Sequence, residues 1–77
     1  MKELLGYIVR QLVDHPDEVR VEERVSNGGE VILEVRVAPD DTGRIIGRQG
    51  RIAKAIRTLV KAAAVRDGRR VTVDIMD

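Results

Sequence analysis

A chain of 77 residues suffices for one small domain over residues 1–77, and with Tyr7 as its only aromatic the core must be built from Val, Ile, Leu and Ala. The absence of cysteine excludes a disulfide framework, a thiolate zinc site and a thiol nucleophile. No apolar run approaches the roughly 18 residues of a membrane span, and the N-terminus carries no secretory pattern, so a cytoplasmic location is expected. The net charge of +1 hides an asymmetry: residues 1–42 hold five basic and ten acidic side chains, residues 43–77 nine basic and three acidic. An anionic partner is expected on the C-terminal half.

In chain order, Leu4, Leu5, Ile8, Val9, Leu12 and Val13 form one apolar stripe of a helix over residues 3–14. Pro16 ends it. Val19, Val21 and Val25 alternate with charged residues and predict a half-buried strand over 19–25. Ser26-Asn27-Gly28-Gly29 reads as a hairpin turn. Residues 31–37 are richer in apolar side chains and predict a central strand, covered on both faces over part of its length. Asp40 or Asp41 is expected to cap a short helix containing Ile45 and Ile46. After Gly47–Gly50, a longer helix from Arg51 to Val65 carries Ile52, Ile56, Leu59, Val60 and Ala63 as its stripe. Asp67-Gly68 stops it, and Val71, Val73 and Ile75 mark a last strand. The order α-β-β-α-α-β predicts an α+β fold, with a three-stranded mixed sheet and three helices on one face.

The most informative stretch is Gly43-Arg44-Ile45-Ile46-Gly47-Arg48-Gln49-Gly50-Arg51-Ile52-Ala53-Lys54-Ala55-Ile56. Two glycines flank two long polar residues between helices. The glycines permit a sharp turn and remove the Cβ atoms that would hold a phosphate away. The helix that follows directs its unpaired N–H groups and positive dipole end at the turn. Arg48 and Arg51 add charge there, and Lys54 and Lys61 extend a basic face. A missing side chain at Gly43 leaves room for a sugar-phosphate backbone.

This stretch resembles the signature of KH domains. Gly43, Ile45, Ile46, Gly47, Gly50, Ile52 and Ile56 fall on the pattern of a glycine, an aliphatic pair, a GxxG loop and two further isoleucines. With its extra helix and strand first, the whole chain looks like the type II arrangement and like small bacterial single-KH proteins of the KhpA type. The resemblance implies a clamp for about four nucleotides of single-stranded RNA beside the GxxG loop. Gly47, Arg48, Gln49 and Gly50 would touch the RNA backbone. Gly43, Ile45 and Ile46 would shape the groove, with Arg44 and Arg51 beside it; Lys54, on the basic face of the following helix, is a further candidate RNA contact. It also implies homodimers, pairing with a larger KH-containing protein of the Jag (KhpB) type, RNA chaperoning, and links to cell-wall homeostasis and cell-length control. With one aromatic, bases cannot stack on successive rings, so modest affinity and loose base preference are expected.

Nothing in the sequence points to an enzyme, a cofactor or a small-molecule substrate. No nucleotide-binding glycine motif is complete. His15, the sole histidine, cannot form a metal cluster with others and is expected at the exposed end of the first helix. Asp40 and Asp41 are read as helix caps rather than a carboxylate pair. Two rival functions stand beside RNA binding. A helix-turn-helix DNA binder also joins two helices by a short turn, although its turn is usually apolar. A KH-fold protein-interaction module would work mainly through dimerisation, with Val60 and Ala64 on the long helix as its candidate surface.

Overall fold

The computed structural model describes residues 1–76; Asp77, the last residue of the expected domain and one of its C-terminal acids, lies outside the described residues. The principal elements follow the expected order: α1 (Lys2–Leu12), β1 (Arg20–Val25), β2 (Val31–Arg36), α2 (Thr42–Ile46), α3 (Arg51–Arg66) and β3 (Val71–Ile75). Three short 3-10 turns, Pro16–Glu18, Pro39–Asp41 and Arg48–Gly50, lie between them. Helix α1 ends before the expected Asp14 because Val13 is already extended, at φ −104° and ψ 160°.

Strands β1 and β2 are antiparallel, in register from Arg20 opposite Arg36 to Val25 opposite Val31. The hairpin closes where the sequence places it. Ser26 N–H donates to Glu30 O at 2.8 Å and Gly29 N–H to Ser26 O at 2.9 Å, with Gly29 at φ +84°. The crossover through α2 and α3 returns β3 parallel to β2, pairing Val31 with Val71 and Val35 with Ile75. The sheet order is β1-β2-β3, so β2 is central and the sheet is mixed.

The three helices cover one face. Leu5 and Val9 of α1, Ile45 of α2, and Ile56, Val60 and Ala64 of α3 pack on Val31, Leu33, Val35, Val71 and Val73. Each large aliphatic side chain buried this way contributes about 1.5–3 kcal/mol. The opposite face is solvated, which corrects the expectation that β2 is covered on both sides. Its Val31, Leu33 and Val35 are buried, while Ile32 and Glu34 are only half-buried and Arg36 is exposed. The charged pair Arg24 Nη2 to Glu34 Oε2, at 2.9 Å, lies on that open face.

Several apolar residues depart from their expected places, with Leu4 and Leu12 of the α1 stripe 37% and 38% exposed. Val25, at the hairpin end of the edge strand, is 64% exposed. Leu59 is 56% exposed, although the α3 stripe predicts it inside. Ala53, Ile56, Val60 and Ala64 are the residues of α3 that point at the sheet, and Leu59 lies one residue, or about 100°, off that line. Val60 and Ala64 are therefore core and not a dimer surface, being 0% and 1% exposed. Helix α3 runs one residue past its expected end and is closed by Gly68 at φ +71°, with Arg69 N–H donating to Ala64 O at 2.8 Å.

Candidate nucleic-acid interface

Helix α2 closes on Gly47, whose N–H donates to Gly43 O at 2.8 Å. Gly47 then adopts φ 73° and ψ 177°, a conformation open essentially to glycine alone. Gln49 follows at φ 56° and Gly50 at φ 73°, so the chain reverses within four residues and enters α3. Gln49 is the only non-glycine residue with positive φ among the described residues. Left-handed backbone costs such a residue about 1–2 kcal/mol. Arg48 and Gln49 are exposed at the tip. Among the described residues their N–H groups have no hydrogen-bond partner, whereas Gly50 N–H donates to Gly47 O at 3.2 Å.

The start of α3 is likewise open. Gly50 stands at its N-cap, and no side chain caps the first turn. Arg51 N–H donates back to Arg48 O, and the 16-residue helix directs the remaining N–H groups of its first turn and its positive end at the loop. Arg48, Arg51 and Lys54 are exposed around that end, and among the described residues none forms an ion pair. The result is a bare main-chain bend, a helix N-terminus and three free cations on one stretch of surface, an arrangement suited to a phosphate.

The remaining expected site residues fall in different places. Gly43 is exposed on α2, and a Cβ there would meet no atom within 4 Å, so the chain's own packing does not require a glycine. Ile46 keeps 37% of its surface exposed beside the loop. Ile45 is completely buried. The i, i+1 pair splits across the helix, and Ile45 can support a groove only from beneath. Arg44 is already paired: its Nη2 lies 3.1 Å from Asp14 Oδ2 and its Nε 4.0 Å from Asp41 Oδ1.

Asp41 overturns its expected role as a cap. It occupies the N-cap position of α2 but makes no capping bond. Its carboxylate is fully buried and accepts hydrogen bonds from Asp14 N–H at 3.1 Å and His15 N–H at 3.0 Å. His15 Nδ1 lies 3.0 Å from Asp41 Oδ2, so the histidine is tied to α2 instead of standing free at a helix end. The Asp41 bond raises the His15 pKa above 6.5, against a smaller desolvation effect. Burial pushes the Asp41 carboxyl up, but the Asp14 and His15 hydrogen bonds outweigh it and hold the group below 3.8. The sequence carries no signal for this link, because its partners lie 26 and 27 residues apart.

At the other end of α3, Lys61, Ala64, Val65, Arg69, Arg70 and Thr72 line an open cleft of about 280 Å³. Its cations Lys61, Arg69 and Arg70 share the lining with the carboxylate of Glu30. Among the described residues no group of three acidic, histidine or cysteine side chains could hold a metal, and no helix is long and apolar enough to cross a membrane.

Residues 2–75 match the family model for the KH domain of KhpA/KhpB. The chain is 58% identical over 76 residues to the RNA-binding protein KhpA of Clostridium acetobutylicum, covering 99% of this chain and 100% of that protein. It is 62% identical over 73 residues to KhpA of Leifsonia xyli subsp. xyli, covering 95% and 92%. KhpA of Halalkalibacterium halodurans is 52% identical over the full length of both. Among solved structures, Aquifex aeolicus Era bound to GDP and AlF4⁻ superposes with a TM-score of 0.65 at 19% identity. Era in complex with MgGDPNP and nucleotides 1506–1542 of 16S ribosomal RNA gives 0.60, also at 19% identity. Each Era match takes in 96% of this chain but only 28% of the Era chain, and at that identity the likeness concerns the fold.

Proposed function

The chain belongs to the KhpA/KhpB KH-domain family, and from that membership we propose that it binds single-stranded RNA, with residues 1–77 acting as one KH domain. The observation that carries this reading is the exposed bend Gly47–Gly50 at the uncapped start of α3, beside the cations Arg48, Arg51 and Lys54, which form no ion pair among the described residues. A phosphate seats against the N–H groups of Arg48 and Gln49 and the first turn of α3. Gly43 gives the sugar-phosphate backbone clearance, Ile46 offers apolar surface to a base, and Ile45 holds the groove floor from the core. Arg44 joins the site when it exchanges Asp14 for a phosphate. With one aromatic in the chain, bases are held by aliphatic contact and edge hydrogen bonds, which gives modest affinity and broad base tolerance.

The test is the double change Arg48→Asp and Gln49→Asp, with binding of a labelled single-stranded RNA measured beside the melting curve. Binding should fall at least tenfold, about 1.4 kcal/mol, with folding unchanged. Wild-type affinity in a folded double variant would remove the loop from the reading.

The relatives named RNA-binding protein KhpA support RNA binding, and the resemblance extends this to a role as a cytoplasmic RNA chaperone or post-transcriptional regulator. By resemblance that role extends to cell-wall homeostasis and cell-length control. Association as a homodimer, or with a larger Jag/KhpB-type protein, would raise avidity for one RNA. Leu59 and Val65, exposed on α3 at 56% and 74%, are large apolar residues of that helix available to such a partner.

A further inference from the structure

We propose that His15 is a positioning residue for the strand-binding loop, and that its protonation strengthens RNA binding by neutralising Asp41 and releasing Arg44 toward the strand. This rests on the RNA-binding reading above and adds a control on the same site.

One buried carboxylate serves two elements. Asp41 receives the N–H groups of Asp14 and His15 and the ring Nδ1 of His15 on one side, and faces Arg44 Nε at 4.0 Å on the other. Asp41 immediately precedes α2, and α2 is five residues long, so the clasp sits only about 7.5 Å along the helix from the loop that α2 carries. Any shift of the clasp moves the helix that positions Gly47.

The charges around His15 form a closed set. Asp14 adjoins it, Glu18 faces it from the turn Pro16–Glu18, Asp40 and Asp41 face it from the entrance to α2, and Arg44 reaches the same Asp41 from α2. When the imidazole is neutral, Arg44 is the cation that balances the buried Asp41. When it is protonated, a closer cation at 3.0 Å does so. Arg44 is then held only by Asp14, through a pair whose side chains are 58% and 62% exposed. A surface pair of that kind is weak and open to exchange with a phosphate. Protonation also adds a positive charge near the path of an anion. The Asp41 hydrogen bond already holds the imidazole pKa above its ordinary value, which favours the protonated form.

The sequence makes the test sharp, because His15 is the only histidine and no other side chain titrates near neutrality at its ordinary value. Affinity for an octauridylate, whose bases do not ionise in this range, is measured at pH 6 and pH 8 at constant salt. Wild type should bind about threefold tighter at pH 6, the order expected for one added charge near the strand. His15→Gln keeps a neutral donor and should bind equally at both values, apart from any contribution of the terminal amine. By reciprocity, saturating RNA should raise the midpoint of the single imidazole resonance by about 0.5 pH unit. That NMR titration needs no variant.

Tight binding that is independent of pH, with an unmoved imidazole midpoint, overturns the coupling and leaves the RNA-binding reading intact. An equal rise in wild type and His15→Gln assigns the effect elsewhere and also overturns it. No binding of any single-stranded RNA at either pH removes the site reading and the coupling together.

Discussion

A Cβ atom on Gly47 would stand 2.7 Å from Ile52 Cγ1. Ile52, on the first turn of α3, fills the space beside the bare backbone of the loop, so the loop glycine and the helix stripe are fitted to each other.

Gly47→Ala therefore meets two penalties, the collision with Ile52 and the backbone at φ 73° and ψ 177°. It should destabilise by about 1–3 kcal/mol from backbone strain alone. Gly50→Ala has an unfavourable φ but open space around the Cβ and should cost about 1–2 kcal/mol. Urea denaturation midpoints of the two variants should rank in that order. A Gly47→Ala variant as stable as wild type would contradict the loop geometry.

Gly43 behaves in the opposite way. It lies inside α2 with no positive φ and no atom within 4 Å of its would-be Cβ. Gly43→Ala should stabilise the fold by about 0.5–1 kcal/mol, the helix-propensity difference. It should also weaken RNA binding by crowding the strand. A melting temperature that rises while affinity falls is the expected pair of results. Unchanged affinity would place the strand away from α2.

Leu59 and Val60 are adjacent residues with opposite environments, 56% and 0% exposed. Val60→Glu should unfold the chain, since it buries an unpaired charge. Leu59→Glu should leave the melting temperature nearly unchanged, and a loss of dimer by sedimentation in that variant would place the partner on this flank of α3. Circular dichroism with sedimentation distinguishes the two effects.

The His15–Asp41 pair should shape the dependence of stability on pH. The folded pKa of His15 is raised, so its contribution is fully present below 6.5 and is lost as pH rises through that higher folded value. The folded pKa of Asp41 is lowered, so its contribution is present above 3.8 and is lost as pH falls through that lower folded value. The pair therefore supports the fold most between those two limits. Urea midpoints across pH 3 to 8 should show the window, and Asp41→Asn should flatten it.

Much of the fold was legible in the residues because it depends on local periodicity and turn chemistry. The apolar run Val31–Val35, the alternation in Val71–Ile75, the Ser26–Gly29 turn and the stop at Gly68 mark the strands and their order in the chain without any long-range information. The loop Gly47–Gly50 was legible for a similar reason: paired glycines with polar residues between two helical stripes leave few conformations open.

Local pattern thus accounts for the order of elements, the mixed sheet and the bare bend at the start of α3. The completed fold selects which shoulder of each stripe is covered, leaving Leu59 and Val25 in solvent and taking Ile45 and Val60 inside. It also turned Asp41 from a helix cap into a buried clasp on His15. The physical reason is reach. Hydrophobic period and turn propensity act within a few residues, whereas burial of a given helix flank, and the hydrogen bonds of a desolvated carboxylate, depend on which distant segments the completed fold brings against it.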